Sequence, residues 1–514
     1  MRLYPSFTLL FVAALWLSSC ERDPDGRRNM IEGLIERGSV AELTGAIMSR
    51  RISVEALTRA YLDRIAAFDD KTRAVLAINP DAISDARRKD EYLQQAPASL
   101  PALFGIPVLV KDNIETREMP TTAGSLALAS NDTGRDAPLI ERLRASGAII
   151  LGKTNLSEWA NFRSSRSSSG WSGVGGQTRN PFDLSRSPCG SSSGSGVAVA
   201  ARYAPLAIGT ETNGSIVCPA GVNGVVGIKP TVGLVPADRI VPISHSQDTA
   251  GPMALDVESA ALLLEALSGT KGLVPAPGSS IENKRIGIVR SAAGYHEGVD
   301  ALLAAAIGTL ERGGAIIIDD LELKPAYKGL RDDTLNILLY EFKHDLNQYL
   351  ASLPGKNAPR SLEELIAFNI AHADEEMPWF RQETFTRAQA KGGLDNEEYR
   401  SAMERAGRAT REDGIDQLLA DHHLDALIAP TGGPAWTIDL VNGDHGLGGF
   451  STYPAVAGYP HVTVPMGDVA GLPVGLSFTA GRNQDARVIA LAREYERLRP
   501  KPVPVPSLDG PGPN

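Results

Sequence analysis

From residue 104 onward the chain alternates helical stretches with short, largely uncharged apolar runs. These are GIPVLV (105–110), AIILG (148–152), PLAIG (205–209), GVVGIKP (224–230), RIGIV (285–289), AIII (315–318), LDALIAP (424–430) and VGLSF (474–478). A strand with water on one face alternates polar and apolar residues. A strand that is apolar on both faces has to be covered on both. The expected fold class is therefore α/β, a sheet with helices on both faces. With 43% apolar residues in 514, the chain can bury a core for one large domain or two.

The ends read differently. Residues 1–20, MRLYPSFTLLFVAALWLSSC, place Arg2 before an apolar stretch from Phe7 to Leu17, too short for a comfortable span, and small residues before Cys20. Leu17-Ser18-Ser19-Cys20 resembles a bacterial lipoprotein signal. That resemblance implies a signal peptide over 1–19, lipidation of Cys20, export, and a membrane anchor on the periplasmic side. Residues 20–38 then read as a polar tether, and 499–514 as a Pro-rich disordered tail. Residues 39–95 read as helical, with Ser53 as N-cap before Val54, Leu57, Tyr61, Leu62 and Ile65. Residues 325–420 read as a helix-rich insertion flanking the site, within a single domain over 39–498. Ser361 and Glu364 are spaced there as a capping box.

Several functions are disfavoured. The net charge is −10, without a basic stripe, so no nucleic-acid partner is expected. No GxGxxG follows a strand and no GxxxxGK[ST] occurs, so no nucleotide cofactor is expected. The eight histidines form no HExxH, and no metal site is expected. No GxSxG elbow marks a serine hydrolase of that type. Three cysteines are too few for a disulfide scaffold. Cys189 and Cys218 read as two buried thiols, although an exported chain would permit one bridge.

The stretch GTETNGSIVCPAGVNGVVGIKP (209–230) crowds glycine and small polar residues around Ser215. Such a loop can bring backbone N–H groups against a reacting atom. A serine nucleophile needs a base, and a lysine serves if burial keeps it neutral. Lys111 ends the run GIPVLVK, where α/β sheets build their sites. On that run alone, a lysine reaching out to solvent is the plainer reading. SRSPCGSSSGSGVAVAARYAP (185–205) reads as a Gly/Ser loop running into a helix near Ser193. A flexible linker has similar composition, but not the Ala/Val-rich helix that follows at once.

Together these motifs resemble the amidase signature family. Cys189-Gly190-Ser191-Ser192-Ser193-Gly194-Ser195 fills its Gly/Ser-rich stretch, and Glu211-Thr212-Asn213-Gly214-Ser215-Ile216 its serine motif, with Ser191 and Ser215 24 residues apart. Val110-Lys111-Asp112-Asn113, GKTNLSEWA (152–160), GGQTRNP (175–181), GVVGIKPT (224–231) and GLPVGLSF (471–478) match in order. The resemblance covers about residues 39–498. It implies a large mixed sheet, no cofactor, and a triad of Ser215 as nucleophile, Ser191 as relay on a cis peptide, and Lys111 as neutral base. The backbone N–H groups of Thr212, Asn213, Gly214 and Ser215 would form the oxyanion hole, with Ser192 and Arg186 in support. The implied activity is hydrolysis of a carboxylic or peptide C-terminal amide through a seryl acyl-enzyme. Cys189, Ser193 and Asn213 stand where the family usually has glycine. CGSSSGS with ETNGSIVCPA looks most like bacterial peptide amidases. The alternatives are an inactive binding protein on the same scaffold and a component of an amidotransferase. EEMPWF (375–380) could line the entrance, though packing is the plainer role.

Overall fold

The computed structural model of the chain describes residues 27–323, 327–355, 358–500 and 505–508. Eleven strands form one sheet. In chain order they are β1 (Val75–Ile78), β2 (Pro107–Lys111), β3 (Ile149–Thr154), β6 (Leu206–Glu211), β7 (Val226–Lys229), β8 (Thr249–Ala254), β9 (Arg285–Val289), β10 (Ile316–Leu321), β11 (Ala426–Pro430), β12 (His461–Val469) and β13 (Leu472–Thr479); β4 (Trp171–Ser172) and β5 (Gly176–Gln177) pair apart as a small hairpin. The spatial order is β1-β3-β2-β6-β8-β7-β12-β13-β11-β9-β10. Pairings are mixed: β3-β2-β6 and β11-β9-β10 run parallel, and the rest antiparallel.

Every residue of β2, β3, β6, β7, β8, β11 and β13 is buried, as a sheet covered on both faces requires. All eight apolar runs fall on strands. Three strands escaped that pattern. β1 lies inside the segment read as helical; it is short and pairs at the sheet edge with β3. β8 is broken in sequence by Gly251 and Pro252, yet it lies centrally between β6 and β7. β12 mixes polar residues and a register shift before Gly467.

The ends also depart from expectation. Residues 27–37, read as tether, form a helix that buries Ile31 and Ile35. In the tail, Leu508 is buried, and its carbonyl accepts from Lys71 Nζ at 2.6 Å. Residues 1–26, Cys20 among them, lie outside the described residues. No helix among the described residues is long and apolar enough to cross a membrane.

Residues 330–421 are mostly helical, and the longest helix is Leu330–Ser352. Phe342, Leu346, Leu350, Leu362, Leu365 and Phe385 build their own core against Trp159, Phe162 and Ile243. A buried charged cluster joins this block to the rest: Arg163 Nη1 lies 3.0 Å from Glu158 Oε1 and 4.0 Å from Glu376 Oε2, all three fully buried. Arg163 also stacks over Phe380 and Trp171. Phe380 is thus a packing residue, while Trp379 is exposed. Ser53 caps its helix as expected. At Ser361 only half the box forms, because Glu364 accepts from Arg360 N instead.

Cys189 and Cys218 are joined by a disulfide, correcting the expectation of two thiols. The spacing alone could not show that the Gly/Ser loop folds back onto the helix Val217–Val222, bringing the two Cα atoms to 6.0 Å. The bridge closes a loop of 29 residues, for which chain entropy gives about 3.6 kcal/mol. Reduction, or Cys218→Ser, should lower the thermal midpoint by several degrees; an unchanged midpoint in a paired melt would refute that contribution.

Candidate active site

Three features converge at the C-terminal end of β2 and β6. Lys111 is the last residue of β2, and Glu211 the last of the parallel neighbour β6. The helix Ser193–Ala200 begins beside them. Its start lies so close to the sheet that a Cβ on Gly194 would sit 2.3 Å from Ala74 O and 2.5 Å from Asn155 O, so glycine is required there. This docking sets the Gly/Ser loop, a structured element and not a linker, over the strand ends.

Lys111 is fully buried, so it does not reach solvent. Its Nζ lies 2.8 Å from Ser191 Oγ, 2.8 Å from Thr210 Oγ1 and 3.2 Å from Thr210 O. No carboxylate among the described residues pairs with it. Lys153, equally buried on the adjacent strand, ion-pairs with Asp112 Oδ1 at 2.9 Å. Burial pushes the Lys111 amine down to about 7, against the pull of Asp248 and Glu211. A neutral amine has two hydrogens and one lone pair. The two Thr210 oxygens can take the hydrogens, leaving the lone pair to accept the Ser191 hydroxyl proton.

The Gly190–Ser191 peptide is cis. Ser191 O accepts from Ser157 N at 3.1 Å, and Ser192 N donates to Ser215 O at 3.1 Å. Ser192 Oγ donates to Thr210 O and accepts from Thr210 N, at 3.0 and 3.1 Å. Lys111, Ser191, Ser192 and Ser215 are therefore gathered in one place. No hydrogen bond joins the Ser191 and Ser215 hydroxyls here; the backbone bond from Ser192 holds the two turns together. Arg186 is elsewhere: it contacts Ala435 O and Asp183, and none of these serines.

The turn 212–215 is held from outside. Glu211 Oε2 accepts from Ile216 N and Val217 N at 2.7 and 3.0 Å. Thr212 Oγ1 donates to Asp248 at 2.6 Å, and Asn213 Oδ1 accepts from Ser451 Oγ at 2.7 Å. The backbone N–H groups of Thr212, Asn213, Gly214 and Ser215 donate to no acceptor among the described residues. Gly214 supplies the positive φ of the turn, +85°. Asn213, standing at a usual glycine, does not need one, whereas Cys189 does take φ +56°.

Two cavities flank this turn. One, of about 440 Å³, is lined by Asn113, Thr210, Thr212, Arg239 and Asp248. The other, of about 530 Å³, runs from Asn213 along Leu330, Arg331, Leu335 and Leu338. The helix Leu330–Ser352 borders both. Sequence reasoning missed Thr210, Glu211 and Asp248. The first two lie inside the quoted stretch 209–230, which gave them no role and where they could have been suspected; nothing local distinguishes Asp248.

A family model described as amidase matches residues 56–489. The chain belongs to the amidase family. The crystal structure of native peptide amidase from Stenotrophomonas maltophilia superposes with a TM-score of 0.85 at 46% identity, covering 92% of this chain and 99% of that one. A probable amidase of Arabidopsis thaliana is 38% identical over 90% of each chain. One chain of the glutamyl-tRNA(Gln) amidotransferase of Salinispora arenicola is 35% identical, over 89% of this chain and 96% of that one. As an amidase, the chain is an enzyme acting on amide C–N bonds, and its mixed sheet is that of its structural relatives.

If Lys111, held down to about 7 by burial, is the base, only its neutral form can take a proton, and that sets the sign of the pH dependence. Hydrolysis should be weak at low pH and rise as pH passes through about 7, with log kcat/KM approaching unit slope on the acid side. Lys111→Ala should cost about 10²–10⁴-fold in kcat/KM and abolish that limb. A pH–rate profile that persists unchanged in Lys111→Ala would remove the lysine from the chemistry.

Proposed function

We propose that this amidase hydrolyses the C-terminal amide of peptides, with Ser215 as nucleophile, Ser191 as relay and Lys111 as base. The observation that carries the reading is the buried Lys111 amine, without a carboxylate partner, 2.8 Å from Ser191 Oγ. Ser215 Oγ attacks the amide carbonyl. Its proton passes to Ser191 Oγ as the Ser191 proton passes to Lys111 Nζ. Rotation of a serine about χ1 closes the Ser191–Ser215 contact when substrate binds. The N–H groups of residues 212–215 receive the oxyanion, where each donor is worth about 3 kcal/mol. Collapse breaks the C–N bond, and the proton returns through Ser191 to the departing nitrogen. Water then attacks the acyl-enzyme ester by the same route, releasing the acid and restoring Ser215.

Peptide amides are favoured because the relative at 46% identity is a peptide amidase. A cavity on either side of the turn leaves room for an extended acyl portion. A panel of peptide amides, short aliphatic amides, aryl amides and fatty amides, read by ammonia release, tests the substrate class. C-terminally amidated peptides should turn over fastest; preference for long-chain amides would sink the assignment. A fluorophosphonate probe should label Ser215, and much less after Lys111→Ala.

Export belongs to the same proposal. The disulfide Cys189–Cys218 fits an oxidising compartment, and residues 1–19 with Cys20 supply the signal-like segment. Cell fractionation should find the enzyme with membranes and Cys20→Ala released from them; a wild-type enzyme recovered wholly from the cytosol would contradict it.

A further inference from the structure

Beside the 440 Å³ cavity, which His245 and Asp345 line, three side chains outside the proposed catalytic group converge. His245 comes from the loop after residue 243, and His344 and Asp345 from the helix Leu330–Ser352. One potential ligand atom from each lies within 4.8 Å of the others. His245 Nδ1 is 2.9 and 3.1 Å from the two Asp345 oxygens, and His344 Nδ1 is 2.9 Å from Asp345 Oδ1. We propose that His245, His344 and Asp345 form a binding site for a divalent transition metal of the zinc type, clamping the insertion helix to the loop 243–248.

Two imidazoles and one carboxylate are a donor set that suits zinc and its neighbours, and a fourth position facing the cavity admits water. Bonds of about 2.0–2.2 Å to zinc bring ligand atoms to roughly 3 Å from one another; each histidine already stands 2.9 Å from an Asp345 oxygen, and the three ligand atoms lie within 4.8 Å of one another. The imidazole nitrogens turned away from the site also have neighbours. His245 Nε2 lies 3.4 Å from Glu341 Oε1, and His344 Nε2 lies 3.0 Å from Gln348 Nε2; with Nδ1 on a metal, Nε2 carries the hydrogen, and the Gln348 amide turns over to present its oxygen. Outer partners of this kind orient metal-bound imidazoles through their second nitrogen. Glu341 is itself fixed: it is fully buried and accepts from Tyr399 Oη at 2.7 Å, Ser246 Oγ at 2.9 Å, and Ser244 Oγ. His245 and His344 are about half exposed, so an ion can reach them.

The position gives the site a consequence. Asp248, on the same loop as His245, accepts from Ile243 N, Ser244 N and Thr212 Oγ1. A metal there would stiffen the support of the turn 212–215 from outside, taking no part in bond making. The site stands independently of the peptide-amide reading, because its readout is binding.

The untagged full-length enzyme, stripped with chelator, is titrated with Zn²⁺ by calorimetry, and Co²⁺ is added separately to read d–d absorption. One equivalent of Zn²⁺ should bind, raising the thermal midpoint, and Co²⁺ should give a visible band. His344→Ala and Asp345→Asn should each bind at least about tenfold more weakly and lose the shift, and Gln348→Ala should weaken binding by about tenfold. His423→Ala, at a remote histidine, should behave as wild type. Asp345→Asn keeps the side-chain shape, so its circular dichroism guards against a folding defect. No saturable binding to wild type, or binding that His344→Ala and Asp345→Asn both retain, overturns the proposal: hydrogen bonds alone would then hold the cluster.

Discussion

A lysine amine sealed from water without a carboxylate in contact is the constraint around which the site is arranged. An ammonium in that position would lose its hydration and gain no carboxylate, so the amine is held near neutrality. Lys153, its neighbour across the sheet, shows the other outcome: equal burial, but with Asp112 against it. Lys229 is a third buried amine, held down to about 8 by burial; its Nζ donates to a carbonyl, Pro230 O, and to no hydroxyl. Burial alone therefore does not single out Lys111. The contact with Ser191 does, and it depends on a loop that crosses the strand end at bonding distance.

Keeping that loop in place takes several independent tethers. Glycine at 194 lets the helix start touch the sheet. The disulfide pins residue 189 beside 218, tying together the segments that carry Ser191 and Ser215. Glu211 occupies the two N–H groups that follow Ser215, and Asp248 and Ser451 occupy the side chains of Thr212 and Asn213. With those partners outside, the N–H groups of 212–215 are left without an acceptor among the described residues. Burial is graded across the group: Lys111 is wholly dry, while Thr212 and Ser215 each keep 9% of their surface. The amine is dry, and the nucleophile candidate keeps a small accessible surface.

The helical block contributes at one remove. Its long helix borders both cavities beside the reactive turn, and its own apolar core and the Arg163–Glu158–Glu376 cluster fix it to the sheet domain. Breaking a buried ion pair of this kind leaves a charge unpaired, which makes the block an integral part of the fold and not a loose appendage. The residues that shape the cavities thus sit on an element whose position is set far from them.

How far the sequence reached depends on the range of the interaction. The buried strands were legible because two covered faces require continuous apolar residues, and that pattern is local. Ser191, Ser215 and Lys111 were legible because their motifs are short and specific. The edge strand β1 and the central β8, with its glycine and proline, carry no such local pattern; their pairing partners define them. Arg186 was drawn in by proximity in sequence and lies apart in space. The helix over 27–37, the docking of Leu508, the Cys189–Cys218 bond and the hold of Asp248 on Thr212 are contacts between distant segments. By itself the sequence determined the layered α/β class and pointed to Lys111, Ser191 and Ser215, which the structure brings together. Only the tertiary structure decided which buried lysine meets a serine hydroxyl instead of a carboxylate or a carbonyl alone, because desolvation and pairing are properties of what surrounds an amine, and those surroundings come from many separate parts of the chain.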